Sequence, residues 1–462
     1  MRATIKEKLP CCHDKIRYAF RMTHPSPRPR NPWYRPLQGA AVVLGGKGTQ
    51  GIIGLIYTAL AARTLGAEAF GVLALIHGTV FGLSQLMRLH NWPAVVRFGA
   101  LALHAKDNAR LARLIGFTFR LDMAAALGSM LLLQLLIVPL AHWFGLPDDT
   151  HMMLRIYALS IVMMIPVPTH FGILRLFEKF KQIGIQSMIE PMIRLSGTLY
   201  LWMNHGTLNE FLALWLFATV VSRMALFHRA WRELARHGIR FRDCLRNSQW
   251  RTDEPGIWKF ILSGSYISGL QTSESNISLM LVGGFLGPAA AGVFRIAQEL
   301  AAVLGKPTQK LLAPAIYPEF AKIIASNDPH GLRETLLRCA AVAVGLALTV
   351  LTLLVLFGHD IIGLMVGAEY QAAYIPMLWL ASAGAITVSV FPLEPALSAS
   401  GHMRPLVIAQ TTALVVYVAS MVALLPTYGL VAAGMASLLS SITLAVLLAR
   451  AVYLRILKRA HH

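Results

Sequence analysis

The sequence predicts an all-α polytopic membrane protein of about twelve transmembrane helices, in two six-helix bundles related by an internal parallel repeat. The first observation is composition, because 56% of the 462 residues are hydrophobic and 14% are charged, whereas soluble domains carry roughly 25% charged residues. The mean hydropathy is +0.57. The second observation is a repeat at one fixed spacing. The third is a series of apolar stretches long enough to cross a bilayer.

The repeat has a spacing of 221 residues and runs without a gap. One spacing throughout indicates two related halves, and in transporters of this organisation the substrate path usually runs between the halves. The matched residues are Gly48, Gln50, Ile56, Leu60, Leu65, Gly66, Ala69, Gly71, Val72, Pro93, Ala94 and Asp107, which recur as Gly269, Gln271, Ile277, Leu281, Leu286, Gly287, Ala290, Gly292, Val293, Pro314, Ala315 and Asp328.

Apolar stretches of about 20 residues predict the individual helices. The predicted spans are 39–62, 70–91, 117–141, 153–174, 182–203, 208–228, 257–285, 288–312, 336–357, 372–395, 403–425 and 428–450. They divide the chain into a basic Pro-rich tail (1–37), a first bundle (38–228), a basic connector (229–256), a second bundle (257–450) and a basic tail (451–462). The first tail lacks the apolar core and cleavage site of a signal peptide, so we expect the first span to be retained.

The charges between the spans predict orientation. The segments near 146–149, 204–206, 358–360 and 426–429 contain no Lys or Arg, whereas the alternate segments are rich in both. The positive-inside bias therefore predicts that both termini lie in the cytoplasm. Since six crossings return the chain to its starting side, we expect the two halves to be related by an axis along the membrane normal.

The same distribution excludes several classes of function. The net charge of +20 is scattered over many short loops, which topology and attraction to anionic membrane lipids explain, so no nucleic-acid partner is expected. No catalytic constellation occurs at a usable spacing, so the protein is not expected to be an enzyme. No metal site or cofactor is predicted, and the four cysteines, Cys11, Cys12, Cys244 and Cys339, are expected to be reduced structural thiols.

Two motifs carry a family resemblance. The segment 62–71, Ala-Arg-Thr-Leu-Gly-Ala-Glu-Ala-Phe-Gly, follows the first helix, and the segment 285–294, Phe-Leu-Gly-Pro-Ala-Ala-Ala-Gly-Val-Phe, repeats it after the seventh. With twelve spans and a basic connector, the chain resembles the polysaccharide and oligosaccharide flippases (O-antigen, Wzx-type, or polysaccharide-transport family) of the multidrug/oligosaccharidyl-lipid/polysaccharide (MOP) exporter superfamily. It departs from them in helix seven, where Asn276 stands in place of a frequent Asp.

The resemblance implies a function at the bacterial cytoplasmic membrane. Two bundles would move an isoprenoid-pyrophosphate-linked oligosaccharide by alternating access, for synthesis of surface polysaccharide or lipopolysaccharide, alongside a polysaccharide polymerase and glycosyltransferases. A pyrophosphate calls for cations, and intramembrane ionisable residues are the places to search. Three alternatives stay open: a cation-coupled multidrug antiporter, a non-transporting subunit of a synthesis complex, and a lipid II flippase, although that family resembles a longer layout.

Lys47, Gln50, Gln271 and Arg295 are the predicted substrate-binding residues. Lys47 lies in a glycine-rich stretch, and Gln50 is matched by Gln271 in the other half. Lys47 is followed by Gly48 rather than Ser or Thr, which excludes a P-loop. The alternative is that Lys47 extends to the inner interface while the glycines only pack. Arg295 follows the repeated motif directly, which favours a head-group contact.

Glu274 and Glu299 are the predicted coupling residues. Glu274 has no opposite charge within a helical turn and could carry a proton, although a neutral structural role is equally compatible. Glu299 lies four residues after Arg295, so the two share a helix face. Glu190 and Arg194 have the same spacing, and the sequence favours a structural ion pair for them. His77 is predicted to be a packed histidine.

Overall fold

The computed structural model describes residues 34–148, 150–247, 250, 254–325, 329–400 and 402–457, and these residues form helices joined by short turns. Within the helices, the side chains of 34–47, 271–273, 303–319 and a few further positions lie outside the described residues. The described chain contains no β-strand. The predicted fold class, an all-α polytopic membrane protein, is confirmed.

The first half contains eight helices before the connector. They are α1 (Tyr34–Met87), α2 (Trp92–His104), α3 (Asn108–Phe144), α4 (Thr150–Ala158), α5 (Ile161–Met164), α6 (Val167–Leu176), α7 (Phe180–Met203) and α8 (Leu208–Arg236). Local chemistry sets two of the ends: the Asp107 side chain accepts a hydrogen bond from the Arg110 backbone N–H at the start of α3, and a left-handed Gly145 ends it. Thr207 and Glu210 form a capping box at the start of α8.

A short connector helix, α9 (Phe241–Asn247), precedes the second half. The second half consists of α10 (Ile257–Ala325), α11 (Pro329–Met365), a 3₁₀ turn (Ala368–Ala373), α12 (Tyr374–Val390), α13 (Leu393–Ala399), α14 (Met403–Tyr428), α15 (Leu430–Val452) and a final π turn (Tyr453–Leu457). In both halves proline marks a break in the fourth span, at Pro166 between α5 and α6 and at Pro392 between α12 and α13.

Two glycines of the repeat divide the longest helices. Gly66 in α1 has φ 73° and ψ 171°, and Gly287 in α10 has φ 84° and ψ 178°. This backbone region is open essentially to glycine alone. Each long helix is therefore two helices that meet at a kink. The repeat that the sequence contains is thus also a repeat of backbone conformation.

The repeated motif also forms a close backbone contact between the halves. A Cβ atom on Gly71 would lie 1.8 Å from the Pro288 carbonyl oxygen, and one on Gly292 would lie 2.3 Å from the Ala67 carbonyl oxygen. Position 67 is equivalent to 288, and 71 is equivalent to 292, so each contact is the image of the other. That reciprocity is expected for a two-fold axis passing between α1 and α10. Glycine permits the approach because it has no side chain.

Nine helical stretches of the described chain are long and apolar enough to cross a membrane. One of them contains the kink at Gly66 and another the kink at Gly287, and α7 is not among the nine. When the kinked helices are counted as two and α7 is added, the described residues contain twelve segments in the predicted order. Several are longer than predicted, α3 and α11 in particular, because their amphipathic ends extend past the apolar stretch. Large apolar side chains such as Leu135 and Leu364 are almost fully exposed, as expected on a lipid-facing surface.

The connector is folded against the first half. Helix α8 extends to Arg236, eight residues past the predicted span, and Trp231, Phe241 and Cys244 enter a core cluster with α3 and α6. Arg110 at the start of α3 binds Glu254 with two hydrogen bonds, one of 2.8 Å between Nη2 and Oε2. Burial raises the pKa of the Cys244 thiol to about 12, so the thiol stays protonated at neutral pH.

The start of α10 also packs on the first half. The Phe98 and Phe260 rings are 6.2 Å apart, and the Phe117 and Trp258 rings are 5.4 Å apart, both edge to face. The His90 backbone N–H donates to Ser265 Oγ at 2.8 Å. Residues 257–265 thus contact α2, α3 and the turn that follows α1.

Candidate functional site: an intramembrane arginine cluster

Two arginines and one glutamate meet inside the first half. Glu190 and Arg194 lie on α7, and Arg223 lies on the facing side of α8. Arg194 Nη2 is 2.7 Å from Glu190 Oε1, and Arg223 Nη2 is 2.9 Å from Glu190 Oε2. We call these three residues the arginine cluster. One carboxylate bridges two guanidinium groups, so the cluster carries a net charge of +1.

Aromatic rings enclose one side of the cluster. The Arg194 guanidinium lies 4.7 Å from the centre of the Trp215 ring and 5.9 Å from that of Tyr57. Arg194 also donates to Thr219 Oγ1 at 3.3 Å. Cation–π contact stabilises a guanidinium that is removed from water, and only 6% of the Arg194 side chain is exposed. The first half therefore holds this cation in a fixed position within the membrane.

The cluster contains buried hydrogen-bond donors that are not satisfied within the described part of the chain. The Nε atoms of Arg194 and Arg223 and the indole N–H of Trp215 are buried and have no hydrogen-bond partner in the described part of the chain. Buried donors are normally satisfied, so such atoms call for an explanation. Surplus positive charge and surplus donors together are the chemistry that an anionic oxygen requires.

His77 packs against the cluster. Its ring lies 5.0 Å from Trp215, edge to face, and its Nδ1 is 2.6 Å from the Tyr157 hydroxyl. Arg295, a predicted substrate-binding residue, pairs with Glu299, four residues away on α10, as the spacing predicts.

The remaining predicted site residues make other contacts, are exposed, or have side chains outside the described residues. Glu274 is half-buried in the second half, where Ser437 Oγ donates to its Oε1 at 3.3 Å. Gln50 is exposed on the first arm of α1. The side chains of Lys47 and Gln271 lie outside the described residues, so their predicted roles stay predictions.

The repeat is chemically asymmetric around the site. His77 and Tyr57 of the first half correspond to Gln298 and Ser278 of the second. In the second half these two are hydrogen-bonded, with Gln298 Nε2 donating to Ser278 Oγ at 3.1 Å. The first half thus presents aromatic rings and cations where the second presents neutral polar groups.

Sequence reasoning missed three residues of this region. It assigned Glu190 and Arg194 to a structural pair, but did not identify Arg223 or Trp215 as their partners on α8. It also passed over Asp122, which is fully buried in α3. Arg223 and Asp122 each interrupt a predicted apolar span, and an ionisable residue inside a span is the signal that identifies them.

Comparisons with known proteins agree with this architecture. A family model described as polysaccharide biosynthesis protein matches residues 60–375. The chain belongs to the polysaccharide biosynthesis protein family. It is similar to the inner membrane protein YghQ of Escherichia coli (strain K12), with 27% identity over 329 residues, which cover 70% of this chain and 90% of that protein. Its relative is thus an inner membrane protein.

Solved structures of the MOP superfamily share the fold. An inward-facing multidrug resistance MATE transporter superposes with a TM-score of 0.70 at 14% identity, covering 91% of this chain and 99% of that one. The lipid II flippase MurJ, in an inward closed conformation, gives 0.68 at 14% identity and covers 90% of each chain. A MOP superfamily transporter from Pyrococcus furiosus, described as having a binding pocket of reversed polarity, gives a TM-score of 0.59 at 15% identity, covering 92% of this chain and 95% of that one. The predicted resemblance to MOP-type flippases is confirmed, and this chain shares the fold of these transporters.

Proposed function

We propose that this protein moves an isoprenoid-pyrophosphate-linked oligosaccharide across the cytoplasmic membrane by alternating access, with both termini in the cytoplasm. The observation that carries the proposal is the arginine cluster, a buried net positive charge with unused donors. A pyrophosphate that enters a low-dielectric region loses hydration and needs charge-assisted hydrogen bonds in exchange. Membership of a polysaccharide biosynthesis family supports a glycan on the same substrate.

The two halves suit different parts of such a substrate. The cations of the first half would bind the pyrophosphate, with Arg295 reaching it from α10. The neutral hydroxyl and amide groups around Glu274 in the second half would suit sugar hydroxyls. A polysaccharide polymerase and glycosyltransferases would act before and after the transport step, and no nucleic acid or cofactor enters this mechanism.

The test is a flipping assay in proteoliposomes with a lipid-pyrophosphate-linked oligosaccharide. We expect Arg194→Gln, which leaves Glu190 paired with Arg223 and removes the surplus positive charge, to reduce transport about 10–100-fold, the loss expected for one or two charged hydrogen bonds. Arg338→Gln is the matched control, because it also breaks an Arg–Glu pair four residues apart on a helix, but an exposed one. Unchanged transport by Arg194→Gln would contradict the proposal.

A multidrug antiporter is the second candidate, favoured by the MATE fold and by the aromatic side chains of Tyr57 and Trp215 beside the cluster. The discriminating observation is substrate charge. Export of cationic drugs together with no flipping of the lipid-linked oligosaccharide would favour the antiporter. If neither substrate is moved while polysaccharide synthesis in cells survives loss of all three cluster charges, the protein acts as a non-transporting subunit.

A further inference from the structure

A second buried acidic group lies in the first half, in a network that the arginine cluster does not include. Asp122 on α3 is 0% exposed. The Asn91 side-chain N–H donates to its Oδ1 at 2.8 Å, and the Thr169 hydroxyl donates to its Oδ2 at 2.6 Å. Three segments therefore converge on one carboxyl group: the turn after α1, the middle of α3 and the start of α6.

When Asp122 is ionised, this network lacks one hydrogen-bond donor. Asn91 is itself fully buried, and its Oδ1 has no hydrogen-bond partner among the described residues. The partners of Asp122 are neutral, and no ion pair to it is present in the described chain. A buried carboxylate without a close cation is costly, and a bound proton removes that cost. The carboxyl O–H so formed can donate to the Thr169 hydroxyl or, once the Asn91 amide turns, to the unpartnered oxygen.

Charge connects Asp122 to the arginine cluster. Both lie within the first half, Asp122 on α3 and the cluster on α7 and α8. Removing the negative charge of Asp122 makes the potential at the cluster more positive, by an amount that falls with the distance between them. A proton on Asp122 and an anion at the cluster therefore favour each other, and such linkage is reciprocal.

We propose that Asp122 is a proton-binding site of this protein, held by Asn91 and Thr169, whose protonation strengthens anion binding at the arginine cluster. The step is a simple protonation: a proton from water joins a carboxylate oxygen, no other bond breaks and no electrons are transferred. The effect on anion binding rests on the proposed function, whereas the proton-binding site does not.

The proton site is tested without any substrate, by infrared difference spectroscopy of the full-length protein during a pH titration. We expect a band from the carbonyl stretch of a buried protonated carboxylic acid, which disappears as pH rises and is absent in Asp122→Asn. Thr169→Val, which keeps the side-chain volume and removes the hydrogen bond, should retain the band but shift its frequency. Glu274→Gln is the control, because it removes a different intramembrane carboxyl group and should leave the Asp122 band in place.

A band that persists in Asp122→Asn would overturn the assignment. A titration that follows sodium concentration at constant pH would also overturn it, in favour of a metal cation. If Asp122→Asn does not fold, the band shift in Thr169→Val decides the question alone. The linkage has its own measurement: inorganic pyrophosphate should bind the wild-type protein about 5-fold or more tightly at acidic than at alkaline pH. Asp122→Asn should bind it with one affinity at both. No pyrophosphate binding at any pH, with the band intact, would overturn the proposed function and leave the proton site.

Discussion

The contact between Gly71 and Gly292 predicts that one methyl group will disrupt the interface between the halves. In Gly71→Ala the new Cβ would lie 1.8 Å from the Pro288 carbonyl oxygen and 2.5 Å from its carbonyl carbon. Real contacts of this kind are not shorter than about 3 Å, and the obstacle is backbone, which cannot rotate away. The two helices would have to separate by about 1 Å along the whole motif, since the packed interface is not compressible.

The expected cost follows from the nature of the clash. Overpacking a well-packed contact costs about 1–3 kcal/mol. Alanine is a better helix former than glycine by about 1 kcal/mol, which offsets part of the loss. We therefore expect a net destabilisation of up to about 2 kcal/mol, together with weaker transport.

The assay is thermal unfolding of the purified protein, followed by loss of the monodisperse peak after heating. Gly128→Ala is the matched control, because Gly128 lies in the middle of α3 and an added Cβ there meets no atom within 4 Å. The double variant Gly71→Ala/Gly292→Ala should cost less than the sum of the single variants, because both methyl groups separate the same pair of helices. Equal unfolding temperatures for Gly71→Ala and Gly128→Ala would refute the reasoning.

Two further predictions concern orientation and the connector. Cysteines introduced at Asn204 and Arg236, at opposite ends of the sixth span, should react with an impermeant thiol reagent from outside only at position 204, and labelling at 236 instead would invert the topology. Arg110→Gln should lower stability by about 1–3 kcal/mol, because Glu254 would lose a guanidinium partner while 4% exposed. Adding Glu254→Gln should restore much of that stability in a denaturation experiment, whereas an additive further loss would argue against a direct interaction.

The sequence predicted the architecture well because the information is periodic and local. The repeat identified Gly66 and Gly287 as equivalent, and the structure assigns both the same backbone conformation. Helix geometry alone predicted that Arg295 and Glu299 share a face. The breaks in the fourth spans were not predicted, although Pro166 was visible in the sequence.

The site was harder to predict because its parts come from different helices. The bridge from Glu190 to Arg223 depends on how α7 and α8 rotate about their axes, and no spacing in the sequence determines that rotation. In the sequence Trp215 is one of many apolar residues of a span, and only the structure shows that the Arg194 guanidinium packs against its ring. The predictions made for Lys47 and Gln271 rest on sequence position alone.

The attachment of residues 257–265 to the first half has a mechanical consequence. In an alternating-access cycle the two halves rotate against one another. The boundary between the two moving parts is then expected at the boundary between the two repeats. Here the first turns of α10 are fixed to their neighbours by the Phe98 and Phe117 rings and by the hydrogen bond to Ser265. For the proposed cycle, we expect these turns to travel with the first half, so that the moving boundary lies inside a helix rather than in the loop that precedes it. Helix α10 would then bend or slide between Ser265 and the glycine contact at Gly292.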